Sequence, residues 1–373
     1  MKIIQDRIST NPDRGTCFVH ARGVFDNNGF GLITTQPLML TGMDVFYGIY
    51  LIKSFDNGKN WSEIKSSSTL KRKPLGDGVE VAFADGTLTY HKKTGKILLT
   101  GAGTFYKDDD LYPNPSPGKV AYAVYDYETG DFKEFKVLEL GDEDKYFLAM
   151  SGCCQICELE NGDVLLPVYF KDKESSKDSW NTSYSVVVLR CSFDGENLEI
   201  KEMGNELTTD VLRGFCEPSV IKYKDMFYLA LRNDQSGYVA KSNDGIHFDK
   251  PTELSFDDGN NAGNYNTQQH WITLNDELYL VYTRKGASND HVFRHRAPLF
   301  IAKFDAENMC LVRDSEKVVV PERGARLGNF GCTNVNKNEA YVIAAEWMQP
   351  TWEKCAEYGS DNSIWVVKLE EDE

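Results

Sequence analysis

The residues from which chemistry could be built in this chain are two carboxylates, Asp44 and Glu217, four arginines, Arg22, Arg232, Arg294 and Arg296, and two histidines, His20 and His270. Glu217-Pro218 is followed fifteen residues later by Arg232, and Asp44 stands ten residues ahead of Ser54, which opens an S-x-D-x-G-x-x-W segment. A carboxylic acid that keeps its proton, set against a carboxylate that has lost one, is the equipment for breaking an acetal. If two such groups act directly on a glycoside, one protonates the leaving oxygen and the other serves as base or nucleophile. Their separation, roughly 5–5.5 Å or roughly 6.5–9.5 Å, would decide between retention and inversion. A guanidinium fork matches a carboxylate in two hydrogen bonds, so the arginines point to an acid-bearing sugar. Alternatively they pair with carboxylates of the mouth as a structural network. His20 and His270 could serve as neutral bases in an elimination or simply line a pocket by hydrogen bonding.

These residues are scattered from position 20 to position 296, so a fold must gather them. Six hairpins recur at intervals of about 50 to 67 residues, with turns at Asn28-Gly29, Thr94-Gly95, Asn161-Gly162, Lys224-Asp225, Asn275-Asp276 and Lys337-Asn338. Each turn is flanked by short apolar runs rich in β-formers, as in GLITTQ, DVLLPVYF and ELYLVYTR. The period leaves room for four strands per unit and predicts an all-β, six-bladed β-propeller of four-stranded antiparallel blades, one domain over residues 1–373. Taking the first run of each hairpin as the innermost strand puts His20, Arg22, Glu80, Gln155, Glu217, His270 and Asn329 at one end of the central channel. Gln36, Arg232, Arg284 and Glu346 come from the second runs, and Asp44, Arg294 and Arg296 from third-strand entries. The long links Thr104–Lys119, Lys171–Ser183, Lys285–Arg296 and Met348–Ser363 fall on that same face, where binding sites are usually built.

With those positions in register, the chain resembles the sialidase superfamily over essentially its whole length. Four elements carry the resemblance: Asp44 ahead of the Ser54–Trp61 "Asp box", Glu217-Pro218, Arg232 closing the same hairpin, and Arg296-Ala297-Pro298-Leu299. Shorter relatives of the box occur at Ser242–Phe248 and Ser192–Gly195. The resemblance implies that Asp44 is the general acid/base, Glu217 the carboxylate partner of a tyrosine nucleophile, and Arg232, Arg296 and Arg22 the arginines that grip the substrate, with His20 the alternative to Arg22. The chain departs from the pattern in two places. The segment Leu327–Thr333 carries Asn329 and Phe330 where the tyrosine is expected, and His20-Ala21-Arg22 replaces an Arg-Ile-Pro. Either another tyrosine, such as Tyr106, Tyr265 or Tyr358, reaches in, or the two carboxylates act directly. The leading expectation is an exo-acting glycoside hydrolase removing a terminal acidic sugar, sialic or uronic, from a small oligosaccharide. An eliminating lyase and a non-catalytic glycan-binding propeller are the alternatives.

Composition narrows the partners. With 41 Lys and Arg against 57 Asp and Glu the formal charge is −16, which disfavours nucleic acid and anionic membrane but leaves room for a small anion held by local arginines. No stretch has the length and apolarity of a membrane span. The opening MKIIQDRIST lacks an apolar signal core and the nine cysteines are odd in number, so a reduced, cytoplasmic protein is expected. Cys154-Gln155-Ile156-Cys157 has no second pair to complete a zinc site, and neither a metal nor a cofactor is expected. A homo-oligomer remains open.

Overall fold

The computed structural model describes every residue except Met43, Ser179, Trp180, Asp372 and Glu373; Ser179 and Trp180 fall within the Lys171–Ser183 link. The chain is an all-β propeller. Among the described residues the strands form six sheets in chain order, each begun by one of the hairpins read from the sequence. Thr16–Phe25 pairs with Gly31–Met39, Val79–His91 with Lys96–Lys107, Cys216–Tyr223 with Met226–Arg232, His270–Leu274 with Glu277–Tyr282, and Gly331–Asn336 with Glu339–Ala345. The ring is closed by the N-terminal strand Lys2–Ile8, which pairs antiparallel with Ile364–Glu370 and becomes the outer strand of the last sheet.

The strands are apolar on both faces because each sheet is covered on both sides by its neighbours. One apolar cluster lies between each adjacent pair. Val24 and Leu32 meet Leu88 and Leu99, Leu98 and Val120 meet Leu166 and Val187, and Leu165 and Val188 meet Val220 and Leu229. Val239 packs with Trp271 and Leu280, Ile272 and Val281 with Val342 and Val367, and Ile343 and Val366 with Phe25 and Ile33. This is radial burial, in which no sheet has a face of its own to leave exposed.

The expected four strands per sheet hold for three sheets only; the others contain five, five and seven. Some of the extra pieces are interrupted strands, and in the seven-stranded sheet Lys73–Gly76 and Asp110–Leu111 are added at the extended ends of the hairpin. In the third sheet the innermost strand is split into Leu148–Met150 and Cys157–Glu158, both pairing with Asp163–Lys171. The Ser54–Trp61 turn is closed locally: Ser54 Oγ donates to Asp56 Oδ1 (2.8 Å), the Gly58 amide donates to Ser54 Oγ (2.9 Å), and Gly58 has φ 76°. Trp61 lies edge-on to Phe25 at 5.9 Å.

Candidate active site

Four consecutive innermost strands lose their ladder at corresponding places, and each break presents a non-glycine residue in the left-handed region. The register slips between Val19 and Arg22, between Ala84 and Thr87, and between Cys216 and Ser219; in the third sheet the break is the gap in the strand. The residues concerned are His20 (φ 53°), Asp85 (58°), Cys153 (58°) and Glu217 (46°). Such backbone costs on the order of 1–3 kcal/mol per residue and persists where the surroundings hold it. The bulges turn four side chains toward a common centre.

Glu217 is clamped by Arg232, whose Nη1 donates to Glu217 Oε1 at 2.5 Å. Arg232 Nη2 donates to Asp234 Oδ1 (3.1 Å) and Asn266 Oδ1 (3.0 Å). Arg296 lies alongside, its Nε donating to Asn266 O at 3.0 Å and its Nη1 to Asn329 Oδ1 at 3.4 Å. Gly328 makes room for it: a Cβ there would come 2.9 Å from Arg296 Cδ. Asp44 shares the field of Arg296, Arg232, Glu217 and Arg294; its own surface is open, yet the protein mass around it displaces water and raises its pKa. Burial beside Arg232 and Arg326 pushes the Arg296 guanidinium down to about 9.

Asp85 is a residue the sequence reading missed; it expected Glu80 at this blade. Glu80 lies 3.4 Å from Arg72, outside the centre. Asp85 keeps one-fifth of its side chain exposed, and burial raises it to about 7 despite Arg22, with Asp44 and Glu217 pushing the same way. His20 Nδ1 stands 3.0 Å from Asp85 Oδ1 without being aligned for a hydrogen bond, and the Asn329 amide nitrogen is 2.5 Å from His20 Nε2. Burial and Arg22 hold the imidazole well below its usual range, in its neutral form. The donor atoms of His20, Asp85 and Cys153 lie within 4.8 Å of one another. A cation there would meet the Arg22 guanidinium, already 3.0 Å from Cys153 Sγ, so the cluster has its positive charge built in.

Two residues expected at the substrate are elsewhere. Arg22 is 1 % exposed and donates to Asp85 O (3.0 Å), Gly86 O (2.8 Å), Phe330 O (3.0 Å), Gln268 Oε1 (2.8 Å) and Cys153 Sγ. It ties five sheets together behind the bulged residues. His270 is buried between Ser219 Oγ (3.1 Å from Nδ1) and Gln268 Nε2 (2.5 Å from Nε2), with Phe330 edge-on at 5.2 Å. Gln155 is spent on the Trp271 backbone and Arg284 on Glu316. Arg294, on the link before Arg296, stays half-buried in the field of Arg232, Asp234 and Asp44.

The three tyrosines expected to reach in are engaged otherwise. The Tyr106 hydroxyl donates to Asp44 O (2.7 Å), Tyr265 meets His295 Nδ1 (2.5 Å), and Tyr358 stacks on His291. The phenol that does share the field of Asp85 and Glu217 is Tyr169, at the end of Asp163–Lys171; burial and those two carboxyls hold it firmly protonated.

Around the mouth five guanidiniums, of Arg213, Arg232, Arg294, Arg296 and Arg326, act on one another and on three carboxylates, Asp44, Glu217 and Asp234. The guanidiniums outnumber the carboxylates there, in a chain of net −16.

No family model and no curated protein matches this sequence. Solved structures do. A protein of unknown function from Dyadobacter fermentans superposes with TM-score 0.69 at 17 % identity, covering 99 % of each chain. The Hadza microbial sialidase Hz136 gives 0.65 at 14 % identity over 95 % of this chain and 66 % of its own. Trypanosoma rangeli sialidase gives 0.62 at 12 % identity over 98 % of this chain and 59 % of its own. This chain therefore spans about three-fifths to two-thirds of the two sialidases. At such identities the likeness is one of fold: the chain has a sialidase-like β-propeller.

Proposed function

We propose that the protein is a six-bladed, sialidase-like exo-glycoside hydrolase that removes a terminal acidic sugar, sialic or uronic, from a short oligosaccharide. Asp44 protonates the leaving oxygen, and Glu217 acts as base or nucleophile from the opposite side. Arg232 is hydrogen-bonded to Glu217 and holds it in place, while the raised pKa of Asp44 suits a proton donor. The observation that carries this reading is the Glu217–Arg232 pair on a left-handed bulge, facing Asp44 within a mouth that has more guanidiniums than carboxylates. An excess of buried positive charge is costly to maintain, and the carboxylate of an acidic sugar would offset it. Arg296 is the second arm of that grip. His20, lacking a guanidinium, lies instead between Asp85 and Asn329.

The expected setting is cytoplasmic, with a small carbohydrate as the partner rather than nucleic acid or membrane. No helix among the described residues is long and apolar enough to cross a membrane.

The test is Glu217→Gln, which preserves shape and removes the charge. Turnover, followed by the appearance of reducing sugar, should fall by about 10²–10⁴ while the circular dichroism of the β-sheet is retained. Activity within tenfold of the parent would reject Glu217 as the reacting carboxylate. Product absorbing in the near ultraviolet, formed in step with the reducing ends that elimination also releases, would move the reaction to the lyase class.

A further inference from the structure

Arg232 and Arg296 act on both Glu217 and Asp44, whereas Arg294 and Arg326 act on Asp44. Arg232 is joined to Glu217, and Arg296 shares Asn266 with Arg232. Arg326 interacts with Asp44 and with Arg294, and Arg294 in turn with Asp44. If Asp44 is the acid that serves the leaving oxygen, Arg294 and Arg326 flank the departing sugar. This step rests on the hydrolase reading above.

Neither of these two is used up by the protein. Arg294 makes no hydrogen bond among the described residues, and its backbone (φ 57°, ψ 23°) is followed by a second left-handed residue, His295 (φ 52°). Arg326 is 5 % exposed, and its Nε is buried with no partner. It donates one bond, from Nη2 to Gln349 Oε1, and its guanidinium is stacked between Trp347 at 4.1 Å and Phe293 at 4.5 Å. The Phe293 ring is also 5.3 Å from the Arg294 guanidinium, yet 46 % of the residue is open to solvent. An exposed aromatic ring with two guanidiniums against it offers apolar surface beside cationic groups. That combination fits a sugar ring whose substituent is an anion.

We propose that Phe293, Arg294 and Arg326 form a second, leaving-group subsite for a sugar carrying its own anionic group, so that the preferred substrate is acidic on both sides of the cleaved bond. A mouth with more guanidiniums than carboxylates can take two substrate anions, one at Arg232 and Arg296 and one here. Burial and the nearby Arg294 push Arg326 down to about 10, as expected of a cation whose counter-charge arrives with the ligand.

Binding to the Glu217→Gln protein, measured by calorimetry at low salt, tests this. The probes are digalacturonic acid and α-2,8-linked disialic acid, each against the methyl glycoside of its single acidic sugar. A further pair has a neutral second sugar with and without a sulfate ester. At least one diacid, or the sulfated probe, should bind tenfold or more tightly than its monoanionic counterpart; which one does so identifies the anion as carboxylate or sulfate. Arg294→Ala should bring that ratio to within about threefold of one, and Arg294→Lys should restore part of it. Should the Glu217→Gln protein be poorly folded, Asp44→Asn supplies the same comparison. If no second anion strengthens binding, or if Arg294→Ala leaves the ratio intact, the subsite is overturned. A preserved ratio in a parent protein that hydrolyses nothing would sustain the subsite and reject the hydrolase instead.

Discussion

Replacing Asp85 by asparagine should stabilise this protein increasingly as pH rises from about 4 to about 7, and by a constant amount above that. The carboxyl faces His20, Arg22 and Cys153 from the adjoining sheets, with Asp44 and Glu217 across the mouth, and burial raises it to about 7. In the unfolded chain the same group titrates near 3.8. The folded state therefore holds a proton that the unfolded state releases, and the stability this gives is complete below about pH 4. It is lost as pH climbs through about 7. At ~1.36 kcal/mol per pH unit the interval corresponds to about 4 kcal/mol; coupling to Asp44 and partial exposure bring the expected net to about 2–4 kcal/mol. An amide cannot ionise, so Asp85→Asn should match the parent at pH 4 and exceed it by that amount at pH 8. With ~2.1 cal/mol/K of unfolding entropy per residue, the 373-residue chain has roughly 0.8 kcal/mol/K, and the gain becomes about 3–5 °C in Tm. The neutral His20 works in the other direction, costing stability below its ordinary pKa, but it is present in both proteins and cancels in the comparison. Thermal unfolding of both proteins across pH 4–8 reads the difference directly. A gap that does not widen with pH, or an asparagine variant less stable at pH 8, would mean that Asp85 is ionised in the fold and held by Arg22.

Two other substitutions separate roles that residue type alone leaves joined. Arg22→Met strands three backbone carbonyls and Gln268 at the centre of the ring, so it should destabilise by about 3–5 kcal/mol, a Tm loss of roughly 4–6 °C; an unchanged Tm with a large rise in KM would make Arg22 a substrate residue after all. Tyr169→Phe removes the phenol that shares the field of Glu217. If Glu217 reacts directly, kcat should fall less than tenfold, whereas a fall of about a thousandfold would make Tyr169 the nucleophile and Glu217 its base.

The hairpins were legible because a two-residue turn between alternating apolar runs is a local signal, and all six turns lie where the chain reverses. The outward half of the site was legible for the same reason: Glu217 and Arg232 sit at the two ends of one hairpin, and counting residues from its turn brings them face to face. The misplacements share a cause that is not local. Val79–His91 is thirteen residues long, and its bulge after Ala84 shifts the inward-facing register, so counting from the strand start selects Glu80 where the cavity receives Asp85. An Asp between Ala84 and Gly86, after the apolar run Val81–Ala84, was the available clue. Arg22 had the right type in the right strand, but an arginine reads the same whether its guanidinium meets a substrate or the carbonyls of neighbouring blades. That choice depends on Asp85, Phe330 and Gln268, which are up to 308 residues away. Arg326 and Phe293 belong to links whose path no periodicity describes. The same limit explains why a net charge of −16 says little about the mouth. Charge composition sums over every side chain, whereas the field a ligand meets is set by the few that fold inward, and here those carry the opposite sign.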